Sequence, residues 1–280
     1  MAGVTTRAGI DLEALRARAL RIRREIIEST TAAGSGHPTT SLSGVEIAVA
    51  LYFGDILRYD PRNPQWPDRD RFIVSEGHAS PLLYAVLAEA GYFPTAELDT
   101  LRKFGSPLEG HPNMRKVPGV EASTGSLGEG LSIGIGHALA ARLDRKDYQV
   151  FVMTGDGEID EGQIWEAVMA ANKFELGNLV LIVNNNEYQQ TDATEKVMPT
   201  APIAGKFSAF GWKTIDVDGH DLTALHGALA AARELDRHAP QCIVAHTVKG
   251  KGVSFIEGAK GHHGRALTPD EAKRALSELQ

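Results

Sequence analysis

Two stretches decide how this chain folds: Val150-Phe151-Val152-Met153-Thr154-Gly155-Asp156-Gly157 and Leu179-Val180-Leu181-Ile182-Val183-Asn184-Asn185-Asn186. Each opens with an apolar run rich in β-branched residues and ends in small or polar ones, the pattern of a buried parallel strand running into a loop. Thirty positions separate Asp156 from Asn186, about the length of one strand–helix–strand unit. If the two strands are neighbours, both residues emerge at the carboxyl edge of one sheet, where open α/β sheets bind ligands. A carboxylate and an amide oxygen placed there are hard ligands suited to Mg2+ or Ca2+. Gly155 and Gly157 let the backbone approach a bulky anion, and a helix starting near Glu161 aims its N-terminus at it. A metal-bridged diphosphate is the ligand that this pattern fits.

Outward from this centre, short apolar runs at 72–74 and 242–245 predict two further strands. Leu12, Leu15, Ala19, Ile22 and Ile26 recur at helical spacing, as do Val45, Ile47, Val49 and Leu51. Further helices are expected near 80–90, 127–143, 161–174, 221–235 and 269–279. The fold class is therefore α/β, a mostly parallel sheet with helices on both faces. Three polar loops, 104–126, 184–209 and 247–267, are where chemistry is expected, because long loops in a compact domain are usually functional. The chain has 280 residues, enough for one large domain. Its 36 acidic against 29 basic residues argue against a nucleic-acid partner. A single cysteine, Cys242, excludes an internal disulfide and fits a reducing, cytoplasmic compartment. No apolar run predicts a signal peptide or a membrane span.

Histidine gives the second signal. Ser35-Gly36-His37-Pro38, Glu76-Gly77-His78-Ala79 and Glu109-Gly110-His111-Pro112 each place an imidazole directly after glycine, and His262-His263-Gly264 adds another in the glycine-rich loop. Histidines in such turns suit proton transfer or the binding of substrate hydroxyls, because imidazole titrates near neutrality. His137, His220, His226, His238 and His246 lack that context and read as ordinary surface or hydrogen-bonded residues. The spacings match no common zinc pattern. An EF-hand counted from Asp156 puts Glu161 and Ala167 where glycine and glutamate belong. The Rossmann fingerprint lacks its third glycine at both candidate positions, and no Gly-Lys-Ser/Thr phosphate loop occurs.

Taken together, these segments resemble the N-terminal, diphosphate-binding part of transketolase. The likeness runs through Ser35-Gly36-His37-Pro38, Ser75-Glu76-Gly77-His78-Ala79, Gly110-His111-Pro112, Thr124-Gly125-Ser126-Leu127-Gly128-Glu129-Gly130, Gly155-Asp156-Gly157 with Glu161-Gly162, Leu176-Gly177-Asn178-Leu179 to Asn186, and His263-Gly264. The resemblance implies thiamine diphosphate as cofactor, with Asp156, the Asn186 side chain and the Tyr188 carbonyl around Mg2+ or Ca2+. It assigns His78, Gly157 and His263 to the diphosphate, Gly125 and Leu127 to the aminopyrimidine, and Ser126, Gly155 and Glu158 to the cofactor as well. His37, His78, His111 and His263 are implied as the catalytic set acting on sugar hydroxyls, and Glu161 and Glu166 as subunit-contact carboxylates.

The implied reaction transfers a two-carbon ketol unit from a ketose phosphate to an aldose phosphate. A full transketolase continues into pyrimidine-binding and C-terminal domains. Residues 1–280 are therefore expected to form a single diphosphate-binding domain, with the other two domains on a partner chain in an α2β2 assembly. One stretch departs from the family, Glu187-Tyr188-Gln189-Gln190-Thr191-Asp192-Ala193, where an Asp-Gly pair is usual. Two other readings are a component of a different thiamine enzyme, of the 2-oxoacid dehydrogenase or synthase type, and a non-catalytic thiamine diphosphate-binding paralogue.

Overall fold

Parallel pairing of β2 (Val150–Gly155) with β3 (Leu179–Asn185) forms the centre of the sheet, with Gly155 opposite Asn184. A computed structural model describes residues 10–190, 192–234 and 238–280; Thr191 in the departing loop and Leu235 at an expected helix end lie outside the described residues. β1 (Arg71–Val74) flanks β2, while β7 (Gln241–His246) and β6 (Lys213–Asp218) extend the sheet beyond β3, all in parallel register. The order β1-β2-β3-β7-β6 makes the neighbouring-strand expectation a fact and puts Asp156 and Asn186 side by side at one edge.

The helices in chain order are α1 (Leu12–Ala33), α2 (Pro38–Ser43), α3 (Val45–Phe53), α4 (Ser80–Glu89), α5 (Glu129–Leu143), α6 (Gly162–Lys173), α7 (Thr194–Val197), α8 (Ile203–Ala209), α9 (Leu222–Glu234) and α10 (Pro269–Glu278). Successive strand residues point to opposite faces. Phe151, Met153, Val180 and Ile182 therefore join one apolar layer with α1, α3, α4 and α9. Val150, Val152, Leu179, Leu181 and Val183 join the other, with α5, α6 and α8. Burial on both faces is what makes β2 and β3 continuous apolar runs. Among the described residues no helix is long and apolar enough to cross a membrane.

The structure corrects the reading of 184–209 as one polar loop. That span holds the short hairpin β4 (Tyr188–Gln189) and β5 (Asp192–Ala193), then α7 and α8. β6 was also absent from the expected strands. As an edge strand it buries little besides Val217, so Lys213, Asp216 and Asp218 give it a loop-like composition.

Beside the sheet, Arg23 of α1 and Glu46 of α3 form a buried ion pair at 2.7 Å, and the His220 ring meets the same carboxylate at 2.9 Å. Burial alone would raise the Glu46 carboxyl, but Arg23 and His220 pull it down to about 2. Glu46→Ala is expected to cost about 3 kcal/mol at neutral pH, because it strands the Arg23 guanidinium in the core. With the folded value depressed, this contribution is present above the ordinary value of 4.5 and is lost as pH falls toward 2. Urea unfolding of both proteins across that range checks it. A gap that stays constant through acid would contradict the ion pair.

Candidate active site

At the carboxyl edge of the sheet, the turn after β2 presents Asp156, which is 2% exposed. Its Oδ2 accepts a 2.7 Å hydrogen bond from the Thr194 hydroxyl at the start of α7, and burial pushes its carboxyl up to about 6. One strand over, Asn186 Oδ1 accepts the Tyr188 N–H at 3.1 Å, which fixes the amide oxygen beside Asp156 and keeps a lone pair in reserve. Asn184, between them in register, joins the surroundings. Its amide donates to Ser43 Oγ and Glu76 Oε1, both at 2.9 Å, and its oxygen accepts from Thr247 Oγ1 at 2.7 Å. Glu76 is buried beside Asp156 and Glu158, and burial raises it to about 8.

A cavity of about 410 Å³ opens over this edge. Its walls include His37, His78, His111, His263, Asp156, Asn186, Tyr188 and Lys249, together with Gly125, Leu127, Gly155, Gly157 and Glu158. His37, His78 and His263 form a triangle, with ring centroids 5.1, 5.0 and 5.2 Å apart. His111, on an exposed turn, lines the same cavity. Two glycines make the close packing feasible. Gly125, at φ 147°, leaves room where a Cβ would come within 3.0 Å of the His111 ring, and Gly264, at φ 69°, does the same for His37 Nε2. Burial, then the positive charge of Arg102, lowers His37 to about 4; burial and Lys249 lower His263 to about 4. His78 and His111 are also lowered, chiefly by burial. Neutral rings each offer one donor and one acceptor, the set required by hydroxyl substrates.

Lys249, 4% exposed, is the residue that sequence reasoning passed over. Its ammonium donates to His263 Nδ1 at 3.0 Å, and burial lowers it to about 8 although Asp156 and Glu76 favour its charge. The sequence carried a usable signal, a lysine between Val248 and Gly250 just beyond a strand end. Thr194 and Thr40 were missed as well, with no pattern to mark them. The loop holding Lys249 is fastened at both ends: Gly250 N–H donates to Thr39 O, Thr39 Oγ1 donates to His262 O, and the Tyr188 hydroxyl donates to Gly258 O.

Two assigned residues sit differently from the sequence expectation, and one unassigned residue joins the site. Ser126 is exposed and does not line the cavity. Glu158 lines it, but its carboxylate is committed to the Ser75 hydroxyl and to the N–H groups of Gly128 and Gly155 at 2.9 and 3.1 Å, so it supports the glycine turns. Gln189, in the departing stretch, lies across Gly157 and donates to Asp160 Oδ2 at 3.0 Å. Glu161 and Glu166 are exposed near the start of α6. Behind Asp156, a second cavity of about 750 Å³ is lined by the 193–205 segment and the His246–Asp216 pair.

Residues 15–279 match the family profile described as transketolase, thiamine diphosphate binding domain. The chain is 41% identical over 259 residues to the 6-deoxy-6-sulfo-D-fructose transketolase subunit SqwG of Clostridium sp. (strain MSTE9), covering 92% of this chain and 94% of that protein. It is 40% identical over 274 residues to an apulose-4-phosphate transketolase subunit of Phocaeicola vulgatus, covering 96% of each. Its structure is similar to that of a transketolase from Pichia stipitis in complex with sedoheptulose 7-phosphate, with TM-score 0.89 and 31% identity. There the match covers 95% of this chain but only 40% of that one.

Proposed function

Since the chain belongs to the family of transketolase thiamine diphosphate-binding domains, we propose that it is the diphosphate-binding subunit of a two-chain transketolase. On this reading it works with a partner carrying the pyrimidine-binding and C-terminal domains, in an α2β2 assembly, and moves a two-carbon ketol unit from a ketose to an aldose, both as sugar phosphates. The observation that carries it is the single cavity that gathers Asp156 and Asn186 with Lys249 and four histidines.

The donor set fits the cofactor. Lys249 is a buried ammonium that pairs with no carboxylate among the described residues. Among the described residues, His37 Nδ1, Thr40 Oγ1 and Gln189 Oε1 are buried polar atoms on the cavity wall without a partner; the first two could donate to a polar, anionic ligand and the Gln189 oxygen could accept from one of its donor groups. Asp156, Asn186 Oδ1 and the Tyr188 carbonyl would hold Mg2+ or Ca2+ between the chain and the two phosphates. Lys249, His78, His263 and the backbone at Gly157 would meet the phosphate oxygens. Gly125 and Leu127 would bound the ring system. When bound, thiamine diphosphate supplies a nucleophilic carbon and an electron-accepting ring nitrogen for breaking and re-forming a carbon–carbon bond.

The remaining work falls to this chain. Because Lys249 donates to His263 Nδ1, His263 carries its proton on Nε2 and is a donor toward the cavity. His37 and His111, both held toward the neutral form on the cavity wall, can donate to or accept from sugar hydroxyls and hold a proton in transit. A cytoplasmic location fits Cys242, a lone thiol buried in β7.

The test is ketol transfer by the chain mixed with its complementary subunit, thiamine diphosphate and Mg2+. Transfer from a ketose to an aldose is expected, and its absence with every sugar phosphate pair would sink the reading. In the same assay His111→Ala should lower kcat at least about tenfold, while calorimetry finds cofactor affinity within about twofold. Equal losses in both would move His111 from the sugar to the cofactor.

A further inference from the structure

Between the His37 turn and the His111 turn lies a side chain that no motif marks. Arg102 follows a short 3₁₀ segment (Thr95–Thr100), and its backbone has φ 58°, a left-handed conformation costly for a residue with a Cβ. That conformation is held by its N–H donating to Leu108 O at 2.8 Å. It turns the side chain inward, where Nη1 donates to Ser35 Oγ at 2.9 Å and Nη2 to Gly110 O at 3.2 Å. Ser35 begins the turn bearing His37, and Gly110 precedes His111. Gly110 lets the guanidinium come close, since a Cβ there would lie 3.0 Å from the guanidinium carbon and press it away from the turn.

We propose that Arg102 is a positioning residue whose guanidinium ties the His37 turn to the His111 turn and so sets the gap in which these two rings meet a substrate. The proposal rests on the reading of His37 and His111 as substrate-facing. The His111 turn has two other anchors, Ser80 Oγ donating to Gly110 O at 2.9 Å and the Tyr84 hydroxyl donating to Glu109 O and His111 O at 3.0 and 3.1 Å. Both come from α4, and neither reaches Ser35.

The charge matters as much as the fork. Among the described residues no carboxylate pairs with this guanidinium, and its Nε is buried without a partner. Its positive charge therefore acts undiluted on the rings. After burial it is the largest influence lowering both His37 and His111. The other charged or titratable groups facing His37 are His111 and Lys249, with the His78 and His263 rings in contact; only Arg102 stands out at His111. One side chain thus ties the two imidazole turns together and adds to burial in favouring their neutral state.

Ring titration by NMR tests this in the full chain without any substrate, so its outcome is separable from that of the ketol-transfer assay. In Arg102→Gln, which keeps hydrogen-bonding capacity but no charge, the His111 midpoint should rise by about 0.5 pH unit or more. In Arg102→Lys, which keeps the charge but not the fork, it should stay near the wild-type value. With the complementary subunit present, the acid limb of the kcat/KM profile should move upward in Arg102→Gln and stay in place in Arg102→Lys. Unmoved midpoints in Arg102→Gln, or equal rises in both variants, would overturn the proposal. If Arg102→Gln does not fold, the unaltered chain still decides, because a His37 midpoint at or above the ordinary 6.5 would overturn it as well.

Discussion

Asp156→Ala is expected to weaken thiamine diphosphate binding by about 3 kcal/mol, on the order of a hundredfold in Kd. The size follows from where the carboxylate sits. Asp156 is buried at the end of β2 with one oxygen taken by Thr194, beside an Asn186 amide oxygen held in place by Tyr188. Removing it leaves neutral oxygens to hold a divalent cation against a diphosphate, while the Lys249 ammonium remains. Chelation of the unaltered protein should mimic the substitution, and the two effects should not add, because both remove the same bridge. Calorimetric titration of the cofactor, with the complementary subunit present and with or without excess chelator, measures all four combinations. Full affinity in the variant, or in chelator, would refute the metal assignment.

The second large effect concerns the chain on its own. Without a partner it should show no ketol transfer above a level roughly a hundredfold below that of the mixture, with activity saturating at equal stoichiometry. The reason is an inventory of carboxylates. Thiamine catalysis calls for one at the aminopyrimidine, and each acidic side chain buried near the cavity already has a hydrogen-bond partner. Asp156 accepts from Thr194, Glu76 from Asn184, and Glu158 from Ser75 and two backbone N–H groups; Asp160, at the rim, accepts from Gln189. Glu161, also on the cavity wall, is exposed at the start of α6, and on the proposed reading all five lie at the diphosphate end of the cofactor, away from the aminopyrimidine. Steady turnover by the isolated chain, at any concentration and with any sugar phosphate, would overturn the two-chain reading.

How much of this could be read in advance depended on burial. β2 and β3 are covered on both faces, so their apolar runs stood out, and their order in the sheet followed from one crossover length. β6 is covered on little more than one side chain, and its charges hid it. In the site, the glycine-flanked histidines were legible because close packing of rings against backbone demands glycine, as at Gly125 and Gly264. Lys249 was not, since a lysine in a loop is usually solvated and only the folded chain brings α2 and the His263 turn over it. Glu158 was legible as a residue of the site, but not as the support of the glycine turns. Sequence spacing brings a carboxylate to the right neighbourhood, whereas its partners depend on the direction of its side chain, which spacing does not encode.

The fastening of the 247–264 segment bears on protein engineering. It is bonded to Thr39 on one side and, through Gly258, to Tyr188 on the other, and it delivers both Lys249 and His263 to the cavity. These three pieces, far apart in the chain, are one interlocking part. All three bonds meet the segment at backbone atoms, the Gly250 N–H and the carbonyls of His262 and Gly258, so a chimera that imports this segment keeps them as long as the host keeps Thr39 and Tyr188. What the graft must match is conformation, since Gly250, Gly258 and Gly264 have φ of 80°, 58° and 69° and their replacement would displace both Lys249 and His263.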